Sequence, residues 1–422
     1  MNGKWENLMV DNFARSHRRS FFILFLTLLL AVTGAALALN ASFHLFSISS
    51  DEVMLAALTK GVADHGLGFL SSWSFTSDNY TLDAWPLLAP IYMVFGTGPI
   101  AVVVSGWVIY VLTAFVLGII MIQMVGWRWA MIATAIALSF GGPAVTYASF
   151  LTYTVSHNST WLLALSGWAL LLWRRPHGMW RYGLAAIVFC GTVSDPWFDA
   201  AFTLPVVITL LLASAWGDSD RPSNRQAVKL IIYTYISARL FYWIVGEKIL
   251  GCFSGRNTGI DIHHIGEHAH WILVDISTMF SAPNHPWLVL VSTGLWMATL
   301  GTVLKKGFEK LYLGPRHATF VSVSVLSASG LLAAGLLSRY TTSILSGRFF
   351  INVVYVLIAL GVLGLATAYR HRWRVQFVGL GLGLLLFVGL GFYSNLQIPF
   401  SLTPQGSGDQ GLYRALLAEH LV

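Results

Sequence analysis

The chain has 422 residues, of which 56% are hydrophobic and only 10% charged, and its mean hydropathy is +0.68. A soluble domain is about 25% charged, so this composition excludes an ordinary soluble enzyme and points to an all-α, polytopic membrane protein. The net charge of +7 resides in short basic loops, where anionic headgroups and membrane orientation account for it without nucleic acid as a partner.

About 20 apolar residues are needed to cross a hydrocarbon core as a helix. Eleven such stretches are expected, at 21–39, 99–125, 129–147, 159–173, 181–194, 198–216, 227–246, 286–304, 318–337, 351–369 and 375–392. They form one membrane domain over residues 1–392, followed by a short tail at 393–422. The first stretch has the basic flank of a signal peptide, but its roughly 19 apolar residues fit a spanning helix better. Between the first two spans, the segment from Trp85 to Gly96 is too short to cross unaided and is broken by Pro86 and Pro90, so it reads as interfacial or re-entrant. Basic residues resist translocation. With the N-terminus in the cytoplasm, most of the 25 Lys and Arg fall on the inner side, and most of the 18 acids fall outside or near the outer interface. Polar chemistry is therefore expected in the outer segments, at about 40–85, at about 250–285, and after Gly391. Cys190, within a span, and Cys252, outside one, lie at different depths, so neither a disulfide nor a cysteine metal site is expected. Sequons at Asn40, Asn79 and Asn158 fall on the outer side but arise easily by chance.

The first outer segment holds Ser49, Ser50, Asp51 and Glu52 ahead of Val53, Met54, Leu55, Leu58 and Val62. Ser50 or Asp51 suits an N-cap, and carboxylates in a first turn are favoured by the helix dipole. Leu55, Leu58 and Val62 share a face, so this helix is expected to lie in the interface plane. Two carboxylates there either cap the helix or work on a substrate.

A hydrophobic first helix, an acidic pair opening a juxtamembrane helix in a large first outer loop, and many further helices resemble the GT-C superfamily of glycosyltransferases. The specific part of the resemblance is Ser50-Asp51-Glu52 with Leu55, Leu58 and Gly61, then Gly68, Trp73, Asp78-Asn79 and Asp83-Ala84-Trp85-Pro86. It implies a lipid-linked sugar donor, a polyprenyl phosphate, and a glycan or lipid acceptor at the outer face of a bacterial inner membrane, among membrane lipids. Such transfer needs a carboxylate to orient and deprotonate an acceptor hydroxyl, and Asp51 is the candidate base, with Glu52 as its rival or as an orienting group. The leaving phosphate needs cationic partners. Outer cations are few: Lys60, Lys248, Arg256, Arg339, Arg348 and Arg414. Arg339-Tyr340 and Arg348 bracket a late outer loop, where the resemblance implies a cation close to the donor phosphate; the plainer reading is an Arg that snorkels to headgroups.

Asp83 reads first as the solvated end of the polar loop, with substrate contact as the alternative. Asp195-Pro196 follows a span of about 14 residues, so Asp195 is either a cap at a helix break or an ionisable group in a cavity below the interface. His157 and Asn158 open the fourth span as further substrate-contact candidates. In the second outer segment, His264 and His268 at i, i+4 would share a helix face and offer a divalent metal such as zinc or manganese two ligands. Gly259 and Gly266 are expected to interrupt such a helix, which leaves a polar loop as the alternative and no certain cofactor. An ion-coupled transporter or a polysaccharide polymerase or ligase of another fold stands as an alternative function.

Overall fold

Fourteen α-helices carry the described residues: α1 (Leu24–Phe43), α2 (Ser50–His65), α3 (Trp85–Phe95), α4 (Pro99–Val125), α5 (Trp127–Phe140), α6 (Asn158–Leu172), α7 (Trp180–Ser194), α8 (Leu204–Ala215), α9 (Arg221–Phe241), α10 (Ile265–Met279), α11 (Pro286–Glu309), α12 (Pro315–Leu337), α13 (Val353–Arg370) and α14 (Arg374–Leu396). The computed structural model describes residues 22, 24–43, 50–73, 75, 79–140, 157–173, 178–215, 221–251, 253, 259–279, 286–342, 351–396 and 398. Among them there is no strand, and pairing outside helices is limited to two isolated bridges, Phe75 with Phe253 and Ile260 with Ser338. Wide π-helical turns precede α8 at Asp199–Thr203 and extend α9 through Tyr242–Ile249.

Among the described residues, each of the eleven expected apolar stretches overlaps a helix. Five helices are long and apolar enough to cross a membrane, namely Leu24–Phe43, Pro99–Val125, Pro222–Ile249, Pro315–Leu337 and Val353–Arg370, and they mark the chain as a membrane protein. A helix satisfies every backbone polar group within itself, which hydrocarbon demands. The punctuation is local: α4 opens on Pro99, whose missing N–H costs nothing in a first turn, and closes on Gly126 at φ 93°.

The core is built around α13. It is buried on all sides, with Val354 to Ala368 almost continuously enclosed, and it touches α4, α5, α11, α12 and α14. A helix that is apolar all round belongs inside. Small residues let its neighbours approach: a Cβ at Gly361 would stand 2.7 Å from the Trp296 ring of α11.

Cations at the ends of α11 to α14 gather at one end of the bundle. Arg370 at the end of α13 donates to the Val125 carbonyl of α4 (3.0 Å), His317 of α12 bonds the Met124 carbonyl (3.1 Å), and Lys306 of α11 lies over the Trp373 ring before α14 (5.9 Å). The start of α13 lies at the opposite end, about 27 Å away by helix rise.

Two expectations change. The N-terminal half of α2 does not expose one face: Val53, Leu55, Ala56, Ala57 and Leu58 are all fully buried, packed in a cluster with Tyr80, Ala84 and Leu88. Gly266 does not break a helix, because it falls in the first turn of α10, where glycine is tolerated. The three sequon asparagines, Asn40, Asn79 and Asn158, are buried at 3%, 0% and 3% exposure and serve packing. Cys190 is a free thiol, and Cys252 lies outside the described residues.

The packing gives a paired stability test. A Cβ at Gly330 of α12 would sit 2.8 Å from the backbone oxygen of Ala200, whereas one at Gly301 of α11 meets open space. Gly330→Ala is expected to lower stability by about 1–3 kcal/mol, and Gly301→Ala to be neutral or stabilising by up to about 1 kcal/mol. Thermal unfolding in detergent micelles reads both; equal melting of the two variants would contradict the close approach of α12 to the turn at Asp199–Thr203.

Candidate functional site

Two buried carboxylates meet at the N-terminal end of α6. The connection before α3 brings one of them. Asn79 docks it onto the end of α7: its backbone N–H and side-chain Nδ2 donate to the carbonyls of Ser194 and Val193 (both 3.0 Å), and Leu82 N–H donates to Ser194 Oγ (2.9 Å). Asn79 Oδ1 accepts from Thr81 N–H (3.0 Å) and Oγ1 (2.6 Å). Tyr80 then turns the chain with a left-handed φ of 50°, and its carbonyl accepts from Trp85 N–H at 3.0 Å. Asp83 is thereby carried inward to 6% exposure.

Pro196 brings the other. It forces the preceding residue out of the helical region, so Asp195 is extended (φ −144°, ψ 121°), α7 ends, and the Asp195 side chain crosses to α6. Asp195 Oδ1 accepts from Trp197 N–H at 2.9 Å, and the residue is fully buried.

Between them stands the polar start of α6, His157-Asn158-Ser159-Thr160, each residue at most 4% exposed. His157 Nδ1 bonds Asp195 Oδ2 at 2.5 Å. Thr160 Oγ1 is hydrogen-bonded to Asp195 Oδ2 by a short contact and lies 3.2 Å from Asp83 Oδ2, so one hydroxyl bridges both carboxylates. Ser159 Oγ donates to Asp83 Oδ2 at 2.8 Å, and Asp83 Oδ1 accepts from Ala84 N–H at 2.8 Å. The N-terminal end of a helix carries positive potential, which suits negative charge here. The His157 ring is flanked by Trp197 and Tyr80, with centroids at 5.2 and 6.3 Å, and its carbonyl is approached by Asn352 Nδ2, at 3.5 Å, from the start of α13. Among the described residues, neither carboxylate is bonded to a Lys or Arg.

The environments push the two acids apart. Burial, followed by the charge of Asp195, raises Asp83 from 3.8 to about 7 against the lowering effect of its hydrogen bonds. Burial also opposes ionisation of Asp195, but the charge and hydrogen bond of His157, with those from Thr160 and Trp197, outweigh it and hold that carboxyl below the usual range. Asp195 thus holds the negative charge, paired with His157, and Asp83 is the group that gains or loses a proton near neutrality.

The candidate residues divide. Asp83, Asp195 and His157 come together in this cluster, and Asp83 is buried in it, not solvated at a loop end as expected; the reason is the docking of 79–84 onto α7. Asp51 and Glu52 stand in the first turn of α2, with side chains outside the described residues, as are Arg256 and Arg348. Lys248 is exposed at the end of the π-helical turn after α9. Arg339 is exposed after α12, with Nη2 donating to Tyr340 Oη (2.9 Å) and its stem against Gly259, whose carbonyl accepts from Arg339 N–H (2.9 Å). His264 precedes α10 and turns to Asp261 (2.7 Å), whereas His268 is buried and bonds the Leu336 carbonyl (2.8 Å). The two rings, 6.4 Å apart, serve different partners, and no group of three His, Cys, Asp or Glu suited to a metal occurs among the described residues. Ser159, Thr160 and Asn352 were not singled out from sequence, and Asn79 entered there only as a sequon and within the family resemblance. Four polar residues in a row heading an apolar helix were the available signal for the first two.

The sequence matches no protein-family model and shows no detectable similarity to a curated protein.

The proton affinity of Asp83 has a consequence for stability. Its folded value, about 7, lies above the unfolded 3.8, so its contribution is fully present below about pH 4 and is lost as pH rises through 7. The melting temperature of the wild type is therefore expected to carry a falling component between these values that Asp83→Asn, which mimics the neutral acid, abolishes. An unchanged pH dependence in the variant would show Asp83 to be ionised throughout.

Proposed function

We propose that the chain is a membrane glycosyltransferase of GT-C type that moves a sugar from a polyprenyl-phosphate donor to a glycan or lipid acceptor at the outer face of a bacterial inner membrane, with about eleven spans and the cationic bundle end inside. The observation that carries this reading is the buried carboxylate pair at the end of the bundle opposite the cations. Glycosyl transfer at that face needs a base with proton affinity near the working pH, and Asp83, at about 7, has it.

In this reading the acceptor hydroxyl attacks the anomeric carbon and the bond from that carbon to the phosphate oxygen breaks. The polyprenyl phosphate leaves with the electron pair, and the hydroxyl proton passes to Asp83. Asp195, held ionised by His157, raises the proton affinity of Asp83 across the Thr160 hydroxyl, which makes Asp83 a better base than an isolated carboxylate. Asp51 and Glu52, at the head of α2, orient the acceptor. That helix packs on α3 and α4, and its Thr59 accepts the indole N–H of Trp85 at 3.0 Å, two residues beyond Asp83. Arg339, already braced by Tyr340, is the described cation best prepared to fork onto the donor phosphate.

A second reading, proton-coupled transport, is favoured by one observation. The His157–Asp195–Thr160–Asp83 chain is buried, and the segment just after Asp195 departs from regular α-helix in a π-helical turn at Asp199–Thr203.

Purified protein in liposomes, supplied with radiolabelled polyprenyl-phosphate hexoses and pentoses and a cell-envelope acceptor fraction, distinguishes the two. Sugar transfer is expected to rise with pH through about 7 and to fall by about 10²–10⁴ in Asp83→Asn, with a further large loss in Asp51→Asn. Normal transfer by both variants would refute the reading; proton flux without donor turnover would replace it with transport.

A further inference from the structure

The cationic end of the bundle holds a second arrangement, independent of any reaction. Two helix connections meet there: Lys310–Gly314, joining α11 to α12, and His371–Trp373, joining α13 to α14. They are locked face to face by Tyr312 and His371, whose rings stack with centroids 3.5 Å apart and planes within 5°. Trp373 closes on the same pair, 6.3 Å from Tyr312 and 5.7 Å from His371.

Both connections end their helix with a left-handed residue, and in neither is it glycine. Leu311 has φ 57° and Arg372 φ 56°. The helix-closing bonds are made in each, from Tyr312 N–H to the Gly307 carbonyl (2.8 Å) and from Trp373 N–H to the Ala368 carbonyl (2.9 Å). Glycine is the residue that adopts this conformation without strain. A leucine 88% exposed in one turn and an exposed arginine in the other are side chains kept against that preference.

Charge and apolar surface are side by side around the stack. Arg370 is engaged with the Val125 carbonyl and Lys305 with Glu309 at 3.7 Å. Lys306, Lys310, Arg316, Arg372 and Arg374 are exposed and have no acidic partner among the described residues. Next to them stand Leu311, Val375 at 81% exposure and Tyr369 at 64%. Excess positive charge alone would suit any anion. Exposed apolar side chains and flat aromatic rings interleaved with it suit an anion that carries hydrocarbon.

We propose that this surface binds an anionic phospholipid, its phosphate held by Arg372, Arg374 and Lys306 at the aromatic stack and its acyl chain lying on Leu311 and Val375. The lipid would tie the α11–α12 and α13–α14 connections together at the foot of the central helix α13. Basic sites of this kind at helix ends recognise headgroup phosphate through charge and hydrogen bonds.

Native mass spectrometry of the full chain, released from micelles containing equal phosphatidylglycerol and phosphatidylcholine, tests the site. Retained phosphatidylglycerol is expected to exceed phosphatidylcholine, and the preference to fall about fivefold for each cation removed in Arg372→Gly and in Arg372→Gly with Arg374→Gln. Glycine at position 372 relieves the left-handed backbone, so this variant is expected to melt no lower than wild type in phosphatidylcholine alone, which separates lost binding from lost folding. Lys60→Gln, in α2, is expected to leave the preference unchanged. An undiminished preference in the double variant would overturn the site. Displacement of phosphatidylglycerol by inorganic phosphate as readily as by its lyso form would overturn the lipid assignment in favour of a free-anion site.

Discussion

One threonine hydroxyl shared by two buried carboxylates is the constraint on which the functional end of this protein depends. Two ionised carboxylates at hydrogen-bond distance from one oxygen, with no Lys or Arg among the described residues bonded to either, would cost several kcal/mol each in desolvation and would repel one another. The arrangement is tolerable because the two acids are unequal. Asp195 is paired with His157, and Asp83 is neutral through most of the acid range. A proton on Asp83 can then be donated toward Thr160 while Thr160 donates toward Asp195, which also accepts from His157 on its other side. Remove the inequality and both the connection at 79–84 and the start of α6 would lose the reason to remain buried.

That same unit joins parts of the chain distant in sequence. Asn79 ties the first connection to α7, Pro196 sends Asp195 across to α6, and Asn352 brings in the start of α13. Because α13 is the buried hub, the chemistry of the cluster and the packing of the bundle share one anchor. The other end of α13 is built on a different principle, in which Arg370 and His317 cap backbone carbonyls and spare cations face outward. A buried carboxylate cluster at one end and exposed cations with aromatic rings at the other make the two ends of α13 unlike in charge.

Much of this was readable from residues, and the failures have identifiable causes. Apolar runs overlap helices among the described residues because helix formation in a hydrophobic chain is a local matter, and Pro99 and Gly126 bound α4 as their backbone preferences dictate. Asp195 was visible as an acid at a proline break after a short span. Asp83 was named with substrate contact as its second reading, and its burial was not visible, because that depends on Asn79 imitating a backbone partner for Val193 and Ser194, a tertiary contact across more than a hundred residues. The histidines of the second outer segment misled in the opposite direction. Their spacing suited a shared helix face, but α10 starts one residue too late to include His264, which leaves it to Asp261 and sends His268 into the Leu336 carbonyl. Burial of α2 over more than a full turn likewise came from the segments folded over it, and no one-face pattern in its own sequence announces that.

The central claim is that Asp83 is a protonated carboxyl that exchanges its proton near neutrality. Infrared difference spectroscopy of the full chain in lipid, taken through a pH titration, reads this directly. A protonated-carboxyl C=O band is expected to disappear with a midpoint near 7, to be absent from Asp83→Asn and to persist in Asp51→Asn, beside a second band from Asp275 of α10, raised by burial to about 8, which both variants keep and Asp275→Asn removes. A spectrum of Asp275→Asn in which no carboxyl band titrates above the ordinary carboxylate range, or in which the remaining band survives the further change Asp83→Asn, would contradict it.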